Sequence, residues 1–287
     1  MQVLQTISQL KEYVRAQKAA QKSIGLVPTM GYLHDGHLTL ARQAKQENDV
    51  VIMSIFVNPT QFGPNEDFES YPRDLERDTL LAESAGVDVV FAPSVEEMYP
   101  TDGGIKLVAG RQATILCGAS RPGHFDGVIQ VVTKLFHLAD PDLAYFGQKD
   151  AQQVAIIETL VRDFNFPVQI RTVPIVREED GLAKSSRNVY LSEQDRVEAP
   201  HIYAALQKAK AHFLKTNNTS EALQVAKAHI ESNTNGKIDY IEFLSYPDLV
   251  EINEQTTKFL VAAAVYIGNT RLIDNIMFEL EGDTTHV

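Results

Sequence analysis

The 287-residue chain is poor in cysteine, in basic residues and in long apolar runs, and each shortage excludes a class of protein. Cys117 is the only cysteine, so no disulfide can form within the chain, and we expect a reducing, cytoplasmic location. The chain has 26 lysines and arginines and 38 acidic residues. Its net charge of -12 argues against a broad surface that binds nucleic acid or anionic membranes. No run of about 18 apolar residues occurs, so no membrane-spanning helix is predicted.

Signal, repeat and nucleotide-loop patterns are also missing. Residues 1–7 lack the basic and apolar regions of a secretory signal, so we expect none. The chain has no internal repeat and no Walker A loop, so a phosphate site would not be of the P-loop type. Cys117 leaves two interpretations open, a nucleophile or a buried structural thiol.

The order of the apolar segments predicts the fold of the first 176 residues. Short apolar runs alternate there with amphipathic stretches, and the candidate strands are residues 23–27, 50–57, 87–93, 142–146 and 168–174. Nearly continuous apolar runs are typical of strands buried on both faces of a parallel sheet, and alternation with helices indicates crossover connections. We therefore expect an α/β fold with a mostly parallel sheet. Local expectations are a helix over residues 3–21, a helix from about residue 71 to 85, and a strand over residues 105–109.

The pattern changes after a polar, charged segment at residues 177–188. Helical patterns follow over residues 192–215 and 220–232, and strand candidates follow at 240–244 and 260–267. The Gly268-Asn269 pair is a hairpin turn signal, so the chain end is expected to return as a hairpin. At 287 residues the chain is long enough for two domains. We place them at residues 1–176 and 177–287, the second a small α+β domain suited to act as a lid.

Residues 28–37 connect a predicted strand to a predicted helix and carry two histidines at the helix start. A helix N-terminus offers unpaired N–H groups and a partial positive charge, which favour phosphate. His34 and His37 could donate hydrogen bonds there to charge that develops on a leaving phosphate. The alternative is a pair of solvated turn histidines. A metal pair is disfavoured because zinc histidines on one helix face usually lie at i, i+4 with further ligands.

Other polar segments follow the remaining strands. Asn58 and Gln61 lie in a loop after the second strand, where open α/β sheets place their ligands, although simple turn roles are the alternative. Arg121 precedes a second helix start and could hold a carboxylate bidentately, or could be a surface turn residue. Lys149 stands at a strand-to-helix junction as a point charge suited to phosphate. Residues 184–187 are either a phosphate-binding cluster or a solvated linker.

Five separated segments carry a resemblance to a known family: PTMGYLHDGH from residue 28, FVNPTQFGPNEDFESYPRD from 56, RPGHFDGV from 121, FGQKDAQQ from 146 and AKSSRN from 183. In their order and joint presence they resemble the AMP-forming pantoate–β-alanine ligases, over essentially the whole chain. The resemblance implies that pantoate attacks the α-phosphate of ATP to give pantoyl adenylate and pyrophosphate, and that β-alanine then displaces AMP. It also implies a Rossmann-like, doubly wound first domain, a C-terminal lid, a homodimer and Mg²⁺ bound with ATP.

Site residues are carried over by position within these segments. The implied ATP contacts are Met30, Gly31, Tyr32, Leu33, His34, Asp35, Gly36, His37, Gly147, Gln148, Lys149, Asp150, Val176, Lys184, Ser185, Ser186 and Arg187. Among them, His37, His34 and Lys149 are the implied catalytic residues, with His37 in the position of a proton donor. The implied substrate contacts are Gln61 and Gln153, with Asn58, Arg121 and His124 as further pocket members.

Magnesium and two rival functions complete the expectations. Asp78 lies where an acidic residue often occurs in the family, but Arg77 replaces an acid of some members, so no protein ligand to Mg²⁺ is assigned. A nucleotidyltransferase that joins AMP to another small substrate would also explain the helix-start histidines. A nucleotide-sensing module would bind ATP without releasing pyrophosphate. A tRNA synthetase is disfavoured by the acidic charge and by the lack of an anticodon-binding region.

Overall fold

The computed structural model describes residues 1–64, 66–101 and 103–280. The chain divides into two compact units. The first contains Met1–Gln148 and Ile156–Val176, and the second contains Lys149–Ala155 and the chain from Arg177 onward. Among the described residues, no helix has both the length and the apolarity needed to cross a membrane.

The first unit is built on a six-stranded parallel sheet, which confirms the predicted α/β class. Its strands are β1 (Gln2–Leu4), β2 (Ile24–Thr29), β3 (Val50–Ile55), β4 (Val89–Phe91), β5 (Leu143–Gly147) and β6 (Gln169–Val173). Their spatial order is β1-β4-β3-β2-β5-β6. The chain therefore runs one way from β2 to β4 and the other way from β5 to β6, so the strand order reverses between β2 and β5. Open sheets bind their ligands at such a switch point, beyond the carboxyl ends of the strands.

Helices connect these strands. They are α1 (Ile7–Ala19), α2 (Asp35–Glu47), α3 (Leu75–Ser84), α4 (Val95–Met98), α5 (Cys117–Ser120), α6 (His124–Ala139) and α7 (Ala151–Asp163). Helix α2 packs through Leu38 and Ala41 onto a core that includes Val51 and Met53 of β3. Because β3 is buried at five successive positions, its sequence is an almost unbroken apolar run.

Three local expectations were wrong. The helix predicted over residues 3–21 begins only at Ile7, because Thr6 caps it in a reciprocal capping box with Gln9 and the residues before it pair with β4. The strand predicted over residues 105–109 is absent from that described segment. The long helix predicted over residues 192–215 is interrupted next to Pro200, which cannot continue the backbone hydrogen bonding of a helix interior.

The second unit combines helices α8 (Glu193–Glu198), α9 (His201–Thr216) and α10 (Thr219–Asn233) with an antiparallel sheet of three strands. The strands are β7 (Lys237–Ser245), β8 (Lys258–Ile267) and β9 (Thr270–Glu279), in that spatial order. The predicted hairpin return is confirmed, since β8 and β9 pair from Ile267 and Thr270 across the Gly268-Asn269 turn. The rings of Phe213, Phe243, Phe259 and Phe278 form the centre of its core.

Candidate functional site

The turn after β2 has a conformation that requires glycine. Gly31 has a φ of 86°, and an added Cβ would lie 2.9 Å from both the Asp78 carboxylate and the Ile55 side chain. Tyr32 follows with a φ of 49°. The Thr29 hydroxyl donates to Ser54 O at 2.6 Å and accepts the Gly31 N–H at 3.2 Å. The chain therefore leaves the sheet through a tight turn fixed at both ends.

Asp78 of α3 holds this turn from beneath. Its carboxylate is 1% exposed and accepts the N–H groups of Tyr32 at 2.6 Å and Leu33 at 2.7 Å. Arg77 donates to Asp78 Oδ1 at 3.3 Å and to Leu33 O at 2.9 Å. Burial raises the pKa of Asp78 in spite of these bonds. Because both oxygens accept backbone N–H groups, Asp78 is a structural brace of the turn.

His34 and His37 lie at the start of α2, which confirms their predicted place. His34 is the N-cap, and its Nδ1 accepts the Gly36 N–H at 3.1 Å. His37 Nδ1 accepts the His34 N–H at 3.3 Å. A neutral imidazole that accepts through Nδ1 carries its proton on Nε2, so both rings are set as Nε2–H donors. The ring centroids are 4.0 Å apart, which places two such donors beside one helix N-terminus.

The loop after β3 brings Gln61 to the same turn. Gln61 is 9% exposed, and its Nε2 donates to Met30 Sδ at 3.2 Å. Asn58 is buried and donates from Nδ2 to Gln61 Oε1 at 3.0 Å and to Gly127 O at 3.1 Å. Asn58 Oδ1 accepts the hydroxyls of Thr60 and Tyr99. The whole Asn58 amide is thus used within the protein, and it positions Gln61.

Arg121 does hold a carboxylate bidentately, but that carboxylate is Glu66 of the same chain. Arg121 Nη1 also donates to His124 Nε2 at 3.0 Å, because a guanidinium can only donate. His124 must then carry its proton on Nδ1, which lies 2.8 Å from Gln61 O. Burial alone would raise the pKa of Glu66, but the hydrogen bond and charge of Arg121 outweigh it and lower the pKa. Glu66, Arg121 and His124 therefore form a chain that ends on the Gln61 backbone.

Gly147 ends β5 next to the turn that follows β2, because β2 and β5 are neighbours in the sheet. Among the described residues, apart from its two chain neighbours, no atom would lie within 4 Å of a Cβ added to Gly147. Gln148 follows it in the first unit and is half-buried. The carboxyl ends of both switch-point strands thus carry residues predicted for ATP.

In the second unit, Lys149 and Asp150 open the segment that leads into α7. Lys149 Nζ lies 3.8 Å from Asp150 Oδ1, and Lys149 O accepts the Asn275 side-chain amide at 2.9 Å. Gln153 lies in the first turn of α7 and is half-buried. Strand β9 therefore fixes the backbone at Lys149 within this unit.

In the polar segment at residues 177–188, an isolated antiparallel bridge closes a turn over residues 177–183, and a 3₁₀ helix begins at Ser186. Arg177 pairs with the buried Asp274 through bonds of 2.6 and 2.9 Å, and it bridges to Ala183 across this turn. Burial raises the pKa of Asp274, although Arg177 opposes the shift. Lys184 Nζ lies 3.5 Å from Glu178 Oε2, and Ser185 Oγ accepts the Arg187 N–H at 3.3 Å.

Two further predicted residues lie in or beside this segment. Val176 is half-buried and is the last residue of the first unit, and Ser186 is buried in the turn that Ser185 caps.

The structure adds residues that the sequence did not single out. Glu66, Tyr99 and Asp274 are polar groups whose partners lie 41 to 97 positions away, so no local pattern announces them. Within the described parts of the chain, no cluster of three His, Cys, Asp or Glu side chains could hold a metal ion. Cys117 is buried, which favours the structural interpretation of that thiol.

Comparison with known proteins identifies the family of the chain. The family model described as pantoate-beta-alanine ligase matches residues 2–277. Pantothenate synthetase of Lysinibacillus sphaericus is 70% identical over 98% of this chain and 99% of that protein. The Bacillus subtilis pantothenate synthetase is 54% identical over 98% of each.

Solved structures agree with this assignment. The Thermus thermophilus pantothenate synthetase has a TM-score of 0.89 and 44% identity, covering 96% of this chain and 99% of its own. A pantoate-beta-alanine ligase from Francisella tularensis, complexed with beta-gamma ATP and beta-alanine, has a TM-score of 0.80 and 39% identity, covering 96% and 97%. The chain belongs to the pantoate–beta-alanine ligase family.

Proposed function

We propose that this chain is an ATP-dependent, AMP-forming carbon–nitrogen ligase that condenses (R)-pantoate with β-alanine to give pantothenate. Membership of the family over residues 2–277 supports the reaction. The observation that carries the chemistry is the pair of His34 and His37 at the start of α2, both set as Nε2–H donors at the switch point of the sheet.

In the first half-reaction, a pantoate carboxylate oxygen attacks the α-phosphorus of ATP. The new P–O bond forms as the bond to the β-phosphate oxygen breaks, and pyrophosphate leaves with the bonding electrons. The Nε2–H groups of His34 and His37 donate to phosphate oxygens, where negative charge grows in the transition state. The N-terminus of α2 adds N–H groups and a partial positive charge.

Pantoate is assigned to Gln61 and Gln153, whose neutral amides bind without protonating the nucleophilic carboxylate. Arg121 and His124 act on pantoate through Gln61, since His124 contacts Gln61 O.

The remaining predicted ATP contacts form part of the same proposal. Lys149 and Arg187 neutralise phosphate charge, Lys184 adds a further cation, and Ser185 and Ser186 donate hydroxyl hydrogen bonds. Backbone groups of the turn at residues 30–36 and of residues 147–150 approach the nucleotide, with Val176 beside it.

In the second half-reaction, the β-alanine amine attacks the acyl carbon of pantoyl adenylate. The C–N bond forms, the C–O bond to the phosphate breaks, AMP leaves, and the amine loses a proton. An acyl adenylate hydrolyses readily, so a C-terminal lid that excludes water suits this intermediate.

Three further assignments belong to the proposal. Mg²⁺ enters with ATP, as the MgATP substrate, and no protein ligand to it is assigned. The chain acts as a homodimer, which light scattering after gel filtration would test. It works in the cytoplasm on small-molecule substrates and binds neither nucleic acid nor membrane.

The deciding experiment is ATP–pyrophosphate exchange with pantoate as the only acid. Exchange should depend on pantoate, and later addition of β-alanine should yield pantothenate and AMP in equal amounts. Exchange that responds to a different acid or phosphorylated substrate would instead support another adenylyl transferase. ATP binding without exchange under any of these conditions would leave a nucleotide-sensing module.

A further inference from the structure

Two fixed features of the first unit decide how the Asn58 amide is oriented. Gly127 O lies 3.1 Å from the Asn58 amide, and a backbone carbonyl can only accept, so Asn58 must present its nitrogen there. Tyr99 OH and Thr60 Oγ1 lie 2.9 and 3.0 Å from the opposite end of the amide, and their hydroxyls donate to Oδ1. The Asn58 side chain therefore has one hydrogen-bonded orientation.

The position of this acceptor carbonyl is itself fixed. Helix α6 packs against the turn at residues 59–61, and an added Cβ on Gly127 would lie 2.2 Å from Thr60 O. No side chain fits between the helix and the turn. The Gly127 carbonyl is thus held next to Asn58 by a backbone-to-backbone contact that only glycine allows.

The orientation of Asn58 determines the orientation of Gln61. The second Asn58 N–H points at the Gln61 amide at 3.0 Å, so Gln61 must present its oxygen on that side. Its nitrogen then faces away from Asn58, toward Met30 Sδ at 3.2 Å in the turn after β2. Sulfur is a weak acceptor. Gln61 thus presents a hydrogen-bond donor, its side-chain N–H, and not the amide oxygen, on the side of the predicted site.

We propose that Tyr99 is a positioning residue for pantoate: its hydroxyl locks the Asn58 amide, and Asn58 in turn fixes Gln61 as a hydrogen-bond donor to a pantoate oxygen. The inference rests on the proposed function for the identity of the substrate. The relay itself rests only on the hydrogen bonds from Tyr99 through Asn58 to Gln61.

Steady-state kinetics of Tyr99→Phe test the inference, because this change removes one hydroxyl and keeps the ring. The KM for pantoate should rise about threefold to tenfold, the effect expected for one hydrogen bond. The KM values for ATP and β-alanine and the melting temperature should stay unchanged. The matched control is Tyr13→Phe, which removes the hydroxyl of a half-buried tyrosine on α1 of the same unit. It should leave all KM values unchanged.

A double-mutant cycle separates positioning from general structural damage. In a Gln61→Ala background, Tyr99→Phe should cause no further rise in the KM for pantoate, because the group that it positions is gone. Equal effects of Tyr99→Phe in the two backgrounds, or equal rises in all three KM values, would overturn the inference.

NMR of the side-chain amide groups tests the hydrogen bonds from Tyr99 through Asn58 to Gln61 without any substrate. In the ¹⁵N-labelled full chain, the Gln61 amide resonances, assigned by their loss in Gln61→Ala, should shift in Tyr99→Phe and stay in place in Tyr13→Phe. Unshifted Gln61 resonances in Tyr99→Phe would overturn the relay. If wild-type protein shows no pantoate-dependent exchange, the proposed function fails, and the amide spectrum still decides whether Tyr99 fixes Gln61.

Discussion

Helices α2 and α6 both have a histidine within the first residues of the helix, and both follow a tight glycine-containing turn. At α2, His34 and His37 accept backbone N–H groups through Nδ1. At α6, His124 binds Arg121 through Nε2 and Gln61 O through Nδ1. The first pair of rings therefore carries its protons on Nε2, and the second ring contacts the protein through both nitrogens.

Charge separates the two helix starts further. Arg121 is the cation at the α6 start, and the Glu66 carboxylate accepts two of its hydrogen bonds. Asp78, which lies below the turn before α2, accepts backbone N–H groups of that turn. A helix N-terminus with a histidine is thus no anion site by itself, because the tautomer of that histidine and the partners of its neighbours decide which groups it offers. The α2 start suits phosphate, and the α6 start suits bracing of Gln61.

The largest effect is expected for His37→Ala. Loss of one transition-state donor should lower the rate of adenylate formation about 10²-fold or more, with the fold intact. Single-turnover quench measurements with ATP and pantoate would show it, and His212→Ala, which alters a histidine paired with Glu221 in the second unit, is the control. His37→Asn keeps an acceptor for the His34 N–H and should lose the same rate. An unchanged rate in His37→Ala would mean that the α2 start is no phosphate site.

Asp78→Ala should have the next largest effect. It leaves the buried N–H groups of Tyr32 and Leu33 without their acceptor, and each such group costs about 1–3 kcal/mol. Urea unfolding should therefore show a loss of about 3 kcal/mol, with a smaller loss in Asp78→Asn because its amide oxygen can still accept. Glu76→Ala, an exposed acid of the same helix, is the control. Similar stability of all three variants would rule out Asp78 as the brace of the α2 start.

The fold was largely predictable because burial leaves a mark on local sequence. The apolar run of β3 reflects cover on both faces, and the Gly268-Asn269 pair marks the turn between β8 and β9. Local β-strand propensity gave the wrong prediction where strand formation depends on a partner strand elsewhere in the sequence. Residues 105–109 are apolar except for Lys106, yet Ile105 and Val108 are 82% and 78% exposed, and the described segment pairs with no described strand. Strand β1 was missed because it is three residues long and pairs with β4, far away in sequence.

The candidate site was predictable in place and less so in detail. Residues after the strands mark the carboxyl edge of the sheet, so the positions of His34 and Gln61 followed from the pattern of strands and helices. The hydrogen-bond partners of each side chain could not be predicted, because they lie 41 to 55 positions away in the sequence. Examples are Tyr99 with Asn58, Asp78 with Leu33 and Glu66 with Arg121. Arg121 has the same local sequence whether it meets a substrate carboxylate or Glu66.

Two glycine substitutions compare a tightly packed position in α6 with an open position at the end of β5. In Gly127→Ala the added Cβ would lie 2.2 Å from Thr60 O, so α6 and the turn that holds Gln61 must move apart. We expect a loss of about 2 kcal/mol in unfolding free energy and a higher KM for pantoate. In Gly147→Ala no atom of the described residues, apart from the two chain neighbours, lies within 4 Å of the Cβ, so stability should change by less than about 0.5 kcal/mol while the KM for ATP rises. Equal stability of the two variants would contradict the tight contact at α6.

Glu66→Gln is expected to have a smaller effect on stability than Asp78→Ala or Gly127→Ala, and the pH dependence of that effect identifies its cause. Arg121 lowers the pKa of Glu66 below its ordinary value of 4.5, so the pair stabilises the fold above that pH and loses this contribution as the pH falls through the lowered pKa. At neutral pH the substitution should cost about 1 kcal/mol, because both side chains are partly exposed. Urea unfolding below about pH 4 should show a smaller difference in unfolding free energy between wild type and Glu66→Gln, because Glu66 of the wild type then becomes protonated and loses its charge. A difference in unfolding free energy that stays constant across this pH range would show that Glu66 does not neutralise Arg121. Arg121 at the α6 start would then again be a candidate to bind a substrate carboxylate.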